Sequence, residues 1–528
     1  MSDAINDKLT SGKHHSFWIE IQAPLKYKTL ENDITTDVLI IGGGISGVTT
    51  AYCLVKSGRK VTLIEDGYLG SGETGRTTAH ITYALDDRYY DLINIFGEEK
   101  ARLAGESHRH ALQWIKDTII AEDIDCHYKD IDGYLFLNRT DKPENLEKEF
   151  QATRQLALPT QLVPAVPGIT GGSKLKAIMF PEQGQFHVLK YLKGLAEAII
   201  SSGGEIYTGA HADKIHKTEV KSNGFTIKAN HIVVATNSPV NDRVTMHTKQ
   251  HAYRTYVVAA KVPKGKLPYS MWWDTGNMDS KWVAKPYHYV RLEPLDAQFD
   301  LLISGGEDHK TGQAEEEHID EEKRYERLIS WTKSAFPYFD DIIYKWSGQV
   351  LEPIDSLAFI GKNPGDDTIY IITGDSGNGM THGTLGGLII NDIIMGNANP
   401  YIGLYDPSRI TWNTGIDYLK ETGNMAYRAG KDWIGSGDIQ STSQLEQGEG
   451  AILSKGLEKI AVYRDDAGIV HSCSAVCPHL GGVLQWNDDE KSFDCPLHGS
   501  RFTAYGRVIN GPAKTDLKKL NHKLKRDI

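Results

Sequence analysis

The feature that most constrains the fold of this chain is the order of segments within residues 37–65, where a short apolar run, a glycine-rich turn, a helix-forming stretch and a second apolar run follow one another. Gly42 allows a tight turn, Gly44 lets a pyrophosphate approach backbone N–H groups at the start of the helix, and Gly47 permits close packing of helix on sheet. Glu65 ends the second run, where a carboxylate can accept hydrogen bonds from ribose hydroxyls. This succession predicts a Rossmann-type fold that binds a dinucleotide.

A second constraint lies near the other end, where Cys477-Pro478-His479 and Cys495-Pro496-Leu497-His498 are separated by fifteen residues. Each segment supplies one thiolate and one imidazole. A zinc site with two cysteines and two histidines usually has the cysteines in one segment and the histidines in the other. Two thiolates on one iron and two imidazoles on the other are the ligands of a Rieske-type 2Fe-2S cluster. We therefore predict such a cluster, bound by Cys477, His479, Cys495 and His498.

The residues around these ligand segments bear on the redox potential of the cluster. Ser500 follows the second segment, and residues 511–513 resemble the proline loop that covers the cluster in Rieske proteins. High-potential Rieske proteins carry an additional cysteine pair joined as a disulfide, and the equivalent positions here are Gly482 and Leu497. A hydrogen-bonding tyrosine of those proteins falls at Phe502. Because hydrogen bonds stabilise the reduced cluster, we expect a potential in the lower half of the Rieske range.

Several segments of the chain resemble one flavoprotein superfamily. They are residues 70–80 (GSGETGRTTAH), 180–187 (FPEQGQFH), 231–237 (HIVVATN) and 370–381 (YIITGDSGNGMT). They are similar to the D-amino-acid oxidase and glycine oxidase superfamily, especially its gamma-glutamylputrescine oxidase branch. The resemblance covers roughly residues 15–410, favours FAD over NAD, and implies oxidation of a C–N bond.

The resemblance also implies where FAD is held. The second glycine-rich segment is expected to wrap the pyrophosphate and ribityl chain. In the C-terminal clamp a helix N-terminus faces the pyrimidine end of the flavin, where its dipole stabilises negative charge. The residues predicted to contact FAD are Gly42, Gly44, Ile45, Ser46, Gly47, Glu65, Gly72, Arg76, Thr77, Thr78, Gly374, Gly377, Gly379, Met380 and Thr381.

The predicted fold class combines α/β and α+β parts with an all-β C-terminal domain. A chain of 528 residues exceeds the size of a single core and is expected to form several domains. The expected parts are an N-terminal arm (1–35), an FAD-dependent oxidoreductase (36–410), a linker helix (411–437) and a Rieske domain (438–528). The FAD-binding pieces are expected at about 36–90, 175–240 and 345–405, with an inserted, mostly antiparallel substrate sheet between them that covers the flavin.

Composition limits the partners and the compartment. The formal charge of −11 argues against nucleic acid or an anionic membrane as a partner. Five cysteines, of which Cys53, Cys126 and Cys473 are not predicted ligands, fit a reducing cytoplasm. No signal peptide is visible, and no apolar run approaches the ~20 residues that a membrane helix needs. We therefore expect a cytoplasmic protein without a membrane span.

The substrate site is the least constrained part of the sequence. A substrate carboxylate would need an arginine fork, and the resemblance makes Arg291 the candidate. Tyr287, His288 and Tyr289 precede it, and alternation along a strand predicts that about half of them face the pocket.

Three other histidines have open roles. His80 is interpreted as a hydrogen-bond partner of the flavin or as its covalent attachment point. His382 either lies between flavin and cluster or caps the clamp helix, and we favour the cap. His187 stands where the family motif has a proline, and its role is left open.

Two functions from different classes remain compatible with the sequence. In the first, an amine or amino acid is oxidised, and electrons pass from FAD to the Rieske cluster and on to a carrier protein, ferredoxin-like or other. In the second, the Rieske domain accepts electrons from a ferredoxin-like donor and feeds the flavin for monooxygenation or reduction. The first is favoured by the family resemblance, while a low-potential cluster keeps the second open.

Overall fold

A computed structural model of the chain describes residues 12–241, 246–282, 284–314, 319–339, 341–411, 423, 430–433, 435, 437–456 and 458–520. Most of the predicted linker helix and part of the N-terminal arm lie outside these residues. The helices are α1 (Phe17–Ile21), α2 (Ile45–Lys56), α3 (Tyr89–Phe96), α4 (Glu98–Ala121), α5 (Pro143–Gln155), α6 (Val188–Ser201), α7 (Glu321–Ala335), α8 (Gly379–Met395) and α9 (Ile402–Tyr405).

The strands are distributed along the whole described chain. They are β1 (Ile34–Thr35), β2 (Val38–Ile41), β3 (Val61–Glu65), β4 (His80–Ile81), β5 (Lys129–Phe136), β6 (Gln161–Val163), β7 (Ala177–Gln185), β8 (Glu205–Thr208), β9 (Ala212–His216), β10 (Glu219–Ser222), β11 (Phe225–Lys228), β12 (His231–Val234), β13 (Gln250–Pro263), β14 (Met271–Asp274), β15 (Tyr289–Pro294), β16 (Phe299–Lys310), β17 (Ile342–Pro353), β18 (Phe359–Lys362), β19 (Ile369–Thr373), β20 (Gly450–Lys455), β21 (Glu458–Arg464), β22 (Val470–Ser474), β23 (Gln485–Asn487), β24 (Ser492–Asp494), β25 (Arg501–Thr503) and β26 (Val508–Asn510).

The first large sheet has the strand order β18-β19-β12-β2-β3-β8 and is parallel except for the β18–β19 pair. Val38 and Ile40 of β2 face one hydrophobic core, and Leu39 and Ile41 face another. Burial on both faces explains why the strand is a continuous apolar run instead of an alternating one. On one side α2 packs against α6 and α8. This sheet confirms the predicted Rossmann-type fold.

The second large sheet follows the order β17-β13-β16-β15-β14-β5-β7-β4, and β6 pairs with β7. All its pairs are antiparallel except β14–β5. Val257 and Ala259 of β13 face the same core as the first sheet, while Tyr256 and Val258 face a core that includes α7. A mostly antiparallel sheet placed between the pieces of the first one was predicted, and the structure confirms it.

The C-terminal part is all-β. One sheet has the order β20-β21-β22 and the other β23-β24-β25-β26, with every pair antiparallel. Phe493 and Phe502 fill the core between them. Cys473 lies in the same core and is buried, as expected of a small apolar side chain.

The N-terminal arm is anchored by α1, which packs against α6 and residues Glu73–Arg76. Ser16 caps this helix, since its side chain accepts a hydrogen bond from Ile19 N. Phe17, Trp18 and Ile19 are buried, and the Trp18 indole donates to Thr77 O at 2.7 Å. These buried side chains anchor the arm in the fold.

The all-β part is docked closely on the second sheet. A side chain at Gly499 would place its Cβ atom 2.3 Å from the Cβ of Ala252, and one at Gly312 would come 2.9 Å from Pro496 N. Contacts of this kind leave no room for a side chain at either glycine. The second predicted ligand segment, through Pro496 and Gly499, is thus in close contact with the turn after β16 and with β13.

Candidate functional site

A cavity of about 360 Å³ lies between the two large sheets and is lined by residues from both. The predicted cofactor residues that line it are Gly42, Gly44, Ile45, Ser46, Glu65, Gly72, Arg76, Thr77, Thr78, Gly374, Gly377, Gly379 and Met380. Gly47 and Thr381 are not among the lining residues. The three sequence segments predicted to hold FAD therefore meet around one space.

The glycine turn after β2 brings the start of α2 to this cavity. Gly42 has φ +112°, and a Cβ atom there would lie 2.4 Å from Ala235 O. A Cβ atom at Gly47 would lie 1.9 Å from Gly42 O. Gly47 therefore packs the helix against the turn, as predicted, without reaching the cavity. Gly44 is the N-cap of α2 and lines the cavity with Ile45 and Ser46, and the Thr74 hydroxyl accepts from Ile45 N at 3.0 Å.

Glu65 stands at the end of β3 on the cavity wall. Its Oε2 accepts from Gly43 N at 2.6 Å and its Oε1 from Gly67 N at 2.8 Å. Burial raises the pKa of this carboxyl to about 7 despite these bonds. Each oxygen can still accept a further hydrogen bond, and a hydroxyl donor would stabilise the charged form. A carboxylate that can accept further hydrogen bonds fits the ribose hydroxyls of a dinucleotide.

The predicted C-terminal clamp is formed by the turn before α8. Gly374 and Gly377 have φ +74° and +70°, and both line the cavity where α8 begins. The start of this 17-residue helix presents its backbone N–H groups there. These N–H donors and the positive end of the helix dipole suit the electron-rich end of a flavin ring.

Thr381 has a different position from the one predicted. Its hydroxyl pairs with His108 Nδ1 at 2.7 Å, on the side of α8 that packs against α4. His382 lines the cavity, bonds through Nδ1 to Asp375 O at 2.8 Å, and pairs with His108 Nε2 at 3.1 Å. Burial lowers the pKa of His382 to about 4, so the ring is neutral. These contacts fit the interpretation that His382 holds the start of the helix.

His187 and His80 are also neutral, and both side chains form hydrogen bonds within the protein. His187 caps α6, because its Nδ1 accepts from Lys190 N. His80 lines the cavity, pairs with the Thr78 hydroxyl at 2.9 Å and reaches Val290 O at 3.4 Å. Burial, followed by the charge of Arg291, lowers the pKa of His80 to about 3.

The guanidinium of Arg76 is engaged outside the cofactor site. It donates to Ser347 O at 2.9 Å and to His14 O at 2.8 Å, and it pairs with Glu490 at 3.5 Å. The side chain is buried although the residue lines the cavity. Its positive charge therefore joins the N-terminal arm to the all-β part, because the partner carboxylate belongs to that part.

The structure also corrects the role predicted for Arg291. Its guanidinium donates to Thr78 O at 2.6 Å, to Phe186 O at 3.2 Å and to Glu293 at 3.0 Å, and it is fully buried. The residue is not on the cavity wall. A substrate carboxylate would have to displace these partners, so Arg291 is a structural residue of β15 and not a substrate fork. The strand position suggested a pocket residue, but its partner Glu293 lies two positions further on the same face.

Strands of the second sheet and two loop residues, Asp86 and Tyr287, supply a polar and aromatic wall of the cavity. We call this wall the roof: Asp86, Thr255, Trp273, Tyr287, Tyr289 and Asp308. His288 points to the other face, where it stacks on Trp331 with ring centroids 3.9 Å apart and bonds to Asp274. The predicted alternation along this strand is thus confirmed. Sequence reasoning missed Asp86 and Asp308, because nothing in their local sequence marks them as neighbours.

The four predicted metal ligands lie together on two loops of the all-β part. Cys477 and Cys495 are buried and hydrogen-bonded to each other, which lowers the pKa of Cys477 and raises that of Cys495. The rings of His479 and His498 have centroids 5.0 Å apart. Within the described residues, no three His, Cys, Asp or Glu side chains converge on a single metal ion. A thiol pair beside an imidazole pair is instead the donor set of a two-iron cluster, so the residues fit a Rieske centre.

The residues around these four ligands agree with the expectation that Gly482 and Leu497 occupy the positions of the additional cysteine pair in high-potential Rieske proteins. A Cβ atom at Gly482 would lie 2.8 Å from Leu497 Cδ1, so the two positions that lack cysteine do face each other. His247, from the oxidoreductase part, packs its ring 4.8 Å from His479 and 6.0 Å from His498. The imidazole pair is therefore covered by another part of the same chain.

One side chain connects the cavity with the cluster loop. Gln349 of β17 lines the cavity, and its Nε2 donates to Gly499 O at 3.1 Å. Its Oε1 accepts from the Thr311 hydroxyl at 3.2 Å, which fixes the amide in this orientation. Gly499 directly follows the ligand His498. Sequence reasoning missed Gln349, since a glutamine within a strand carries no functional signal.

Comparison with protein-family models decides the family. A model described as FAD dependent oxidoreductase matches residues 37–393. The chain belongs to this family. A second model, Rieske [2Fe-2S] domain, matches residues 437–521. Together they indicate FAD and a Rieske-type 2Fe-2S cluster as the cofactors, in agreement with the residues described above.

Individual members and neighbours of the family extend the comparison. The chain is 34% identical over 502 residues to YhfW of Bacillus subtilis (strain 168), an iron-sulfur protein named for a Rieske 2Fe-2S centre, covering 94% of this chain and 95% of that protein. It is 26% identical to gamma-glutamylputrescine oxidoreductase of Escherichia coli (strain K12), covering 71% and 87%. Glycine oxidase from Geobacillus kaustophilus shares the fold, with a TM-score of 0.59, 16% identity and coverage of 71% and 99%.

The family assignment makes the chain an FAD-dependent oxidoreductase with a Rieske domain. None of the helices in the described part of the chain is both long enough and apolar enough to cross a membrane.

Proposed function

We propose that this protein oxidises a C–N bond of an amine or amino acid and that the electrons pass from FAD to the Rieske cluster and on to an external carrier protein. The observation that carries the proposal is Gln349, whose side chain lies on the cavity wall and donates a hydrogen bond to the cluster loop at Gly499. A pathway between the two centres would then run inside one chain.

When bound, FAD supplies two-electron oxidation of the substrate, and the cluster supplies one-electron transfer. The residues of the chain position these groups. The starts of α2 and α8 offer backbone N–H donors to the cavity, and Glu65 offers acceptors at the far side of the glycine turn. The second sheet closes the space from the opposite side and limits access of water.

The docking of the all-β part supports transfer within the chain. Besides Gln349, residues 508–511 and 513–514 of this part line the same cavity. Asn510 also donates to the Glu73 carboxylate at 3.0 Å, and Glu73 accepts from Gln349 N at 2.6 Å. The cluster-bearing part therefore forms a portion of the cavity wall through several independent contacts.

The proposed substrate class is supported by the relatives and not by any single residue. One of them is a gamma-glutamylputrescine oxidoreductase, and the shared fold includes a glycine oxidase. Both names describe compounds with an oxidisable C–N bond. We infer the same bond type for this chain.

The proposal can be tested by anaerobic titration of the purified protein with D- and L-amino acids, N-methyl amino acids and polyamines. Flavin bleaching and the reduced Rieske EPR signal are followed together. We expect at least one compound to bleach the flavin and the EPR signal to follow. In a Cys495→Ser control the bleaching should remain while the Rieske signal is lost.

Electron transfer in the opposite direction would give a different result in the same experiment. If no compound bleaches the flavin, but a reduced ferredoxin reduces first the cluster and then the flavin, electrons enter through the Rieske domain. That outcome would overturn the dehydrogenase proposal in favour of monooxygenation or reduction.

A further inference from the structure

The roof of the cavity brings together two carboxylates from distant parts of the chain. Asp86 lies between β4 and α3, and Asp308 lies on β16. Asp86 is hydrogen-bonded by Tyr287, and Asp308 by Thr255. Both acids line the cavity, so they face the space that a substrate would occupy.

Asp308 has an acceptor that the protein leaves unused. Its Oδ1 atom is buried and has no hydrogen-bond partner. A buried acceptor without a partner is destabilising, and more so when it is charged. Burial raises the pKa of both Asp86 and Asp308 to about 7, and the charges of Arg88 at Asp86 and of His288 and Arg324 at Asp308 offset this rise only in part. A group that brings a cation and a donor would relieve both deficits.

Two of the cations that line the cavity are held by other groups. Among the described residues, Arg76 is the only arginine on the cavity wall, and its guanidinium is held by Ser347, His14 and Glu490. Lys285 lines the cavity but is exposed and donates to Ser280 O. The wall therefore has no arginine fork turned toward a substrate carboxylate.

The rest of the roof is aromatic. Trp273, Tyr287 and Tyr289 line the cavity beside the acids, and the rings of Tyr287 and Tyr289 have centroids 5.3 Å apart. The Tyr289 hydroxyl is paired with that of Thr255 at 2.6 Å, which fixes the ring. Ring faces attract ammonium groups and offer nothing comparable to a carboxylate.

We propose that the roof binds the ammonium group of a cationic amine that carries no carboxylate, such as a diamine or polyamine, with Asp308 and Asp86 as its counter-ions. This inference rests on the proposed oxidation of a C–N bond and names the substrate class for it. The second, neutral amine of the same molecule is then free to lie against the flavin position. An amino acid would place its carboxylate next to two acids and would be repelled.

A matched pair of ligands tests the proposal without turnover. The FAD-loaded full-length protein is titrated by calorimetry with 1,4-diaminobutane and with 4-aminobutanoate, which has the same chain length but carries a carboxylate at one end. We expect the diamine to bind at least tenfold more tightly. The Asp308→Asn variant should lose about 10- to 100-fold in diamine affinity, because a charge-assisted bond is removed. Asp367→Asn, the same change at an exposed position, should bind like the unmodified protein.

The outcomes separate this inference from the proposed function. Equal or tighter binding of 4-aminobutanoate, or an Asp308→Asn variant that keeps full diamine affinity, overturns the ammonium site. If an amino acid bleaches the flavin while the diamine does not bind, the oxidase chemistry stands and the ammonium site is wrong. If the diamine binds through Asp308 but reduces no flavin, the site stands and the proposed oxidation is wrong.

Discussion

Glu490 of the Rieske domain accepts a hydrogen bond from the guanidinium of Arg254, on β13 of the oxidoreductase, at 3.1 Å. Both side chains are 1% exposed. Arg76 pairs with the same carboxylate oxygen, and Ser347 donates to it. The two parts of the chain are therefore joined by a buried carboxylate that two arginines share.

Removing this carboxylate should destabilise the docked arrangement. In Glu490→Gln, Arg76 and Arg254 keep their charges in a buried site without a counter-ion, which costs about 3–5 kcal/mol. We expect a lower unfolding temperature in calorimetry and easier proteolysis between the two parts. Glu446→Gln, at an exposed position, is the matched control and should be unchanged. Equal stability of both variants would contradict the role of Glu490.

The same group predicts how stability depends on pH. Burial alone would raise the pKa of Glu490, but Arg76, Arg254 and Arg501 lower it to about 2, below its ordinary 4.5. A depressed pKa in the folded state stabilises the protein above the ordinary pKa, and that contribution is lost as the pH falls from about 4.5 toward 2. Chemical unfolding over this range should show the loss in the unmodified protein. The difference from Glu490→Gln should shrink as the pH falls, and a constant difference would be inconsistent with this assignment.

Arg291 should behave as a structural residue. In Arg291→Met, Glu293 remains fully buried and keeps His127 but loses the arginine charge, and we expect a loss of about 3–5 kcal/mol in the free energy of unfolding. Binding measured by flavin difference spectra should change no more for carboxylate ligands than for amines. A selective loss for carboxylate ligands in a stable variant would restore the original substrate prediction.

Gln349 should affect electron transfer between FAD and the cluster more than it affects either cofactor alone. Gln349→Leu removes the hydrogen bond to Gly499 and leaves the Thr311 hydroxyl without its acceptor, a cost of about 1–3 kcal/mol. FAD and iron contents should stay normal, while reduction of the cluster after flavin reduction slows in anaerobic stopped-flow experiments. Gln298→Leu, at an exposed position, should transfer at the normal rate. An unchanged rate in Gln349→Leu would remove this residue from the pathway.

Changing one cluster ligand tests whether the two cofactor sites are independent. His498→Cys should shift the EPR spectrum and lower the cluster potential, since a thiolate replaces a neutral imidazole. FAD should remain bound, because Gly42, Glu65 and the start of α8 are untouched. Loss of flavin together with the altered cluster would mean that the cavity wall supplied by residues 508–514 is needed to retain it.

The sequence was most informative where a function depends on residues close together in the chain. The glycine turn from Gly42 to Gly47 and the two ligand segments at Cys477 and Cys495 have fixed local spacings. The structure brings the residues of each group together, although Gly47 does not reach the cavity. Burial on both faces made β2 recognisable as a continuous apolar run.

Other features depended on partners that are distant in the chain and could not be predicted. Arg76 lies in a flavin-family motif, yet its charge is paired with Glu490 from the other end of the sequence. Arg291 lies at a position typical of a substrate-binding residue, but its guanidinium donates hydrogen bonds to Glu293, Thr78 and Phe186.

The tight approach at Gly499 and Gly312 has a consequence for other proteins that combine these two modules. A methyl group at Gly499 would collide with Ala252, and one at Gly312 would collide with Pro496. A related sequence with a larger residue at either position cannot hold its iron-sulfur module in this pose. The residues at these two positions can therefore be read from a sequence as a marker. Glycine at both is compatible with close docking of the two modules, whereas a larger residue at either indicates that only the linker joins them.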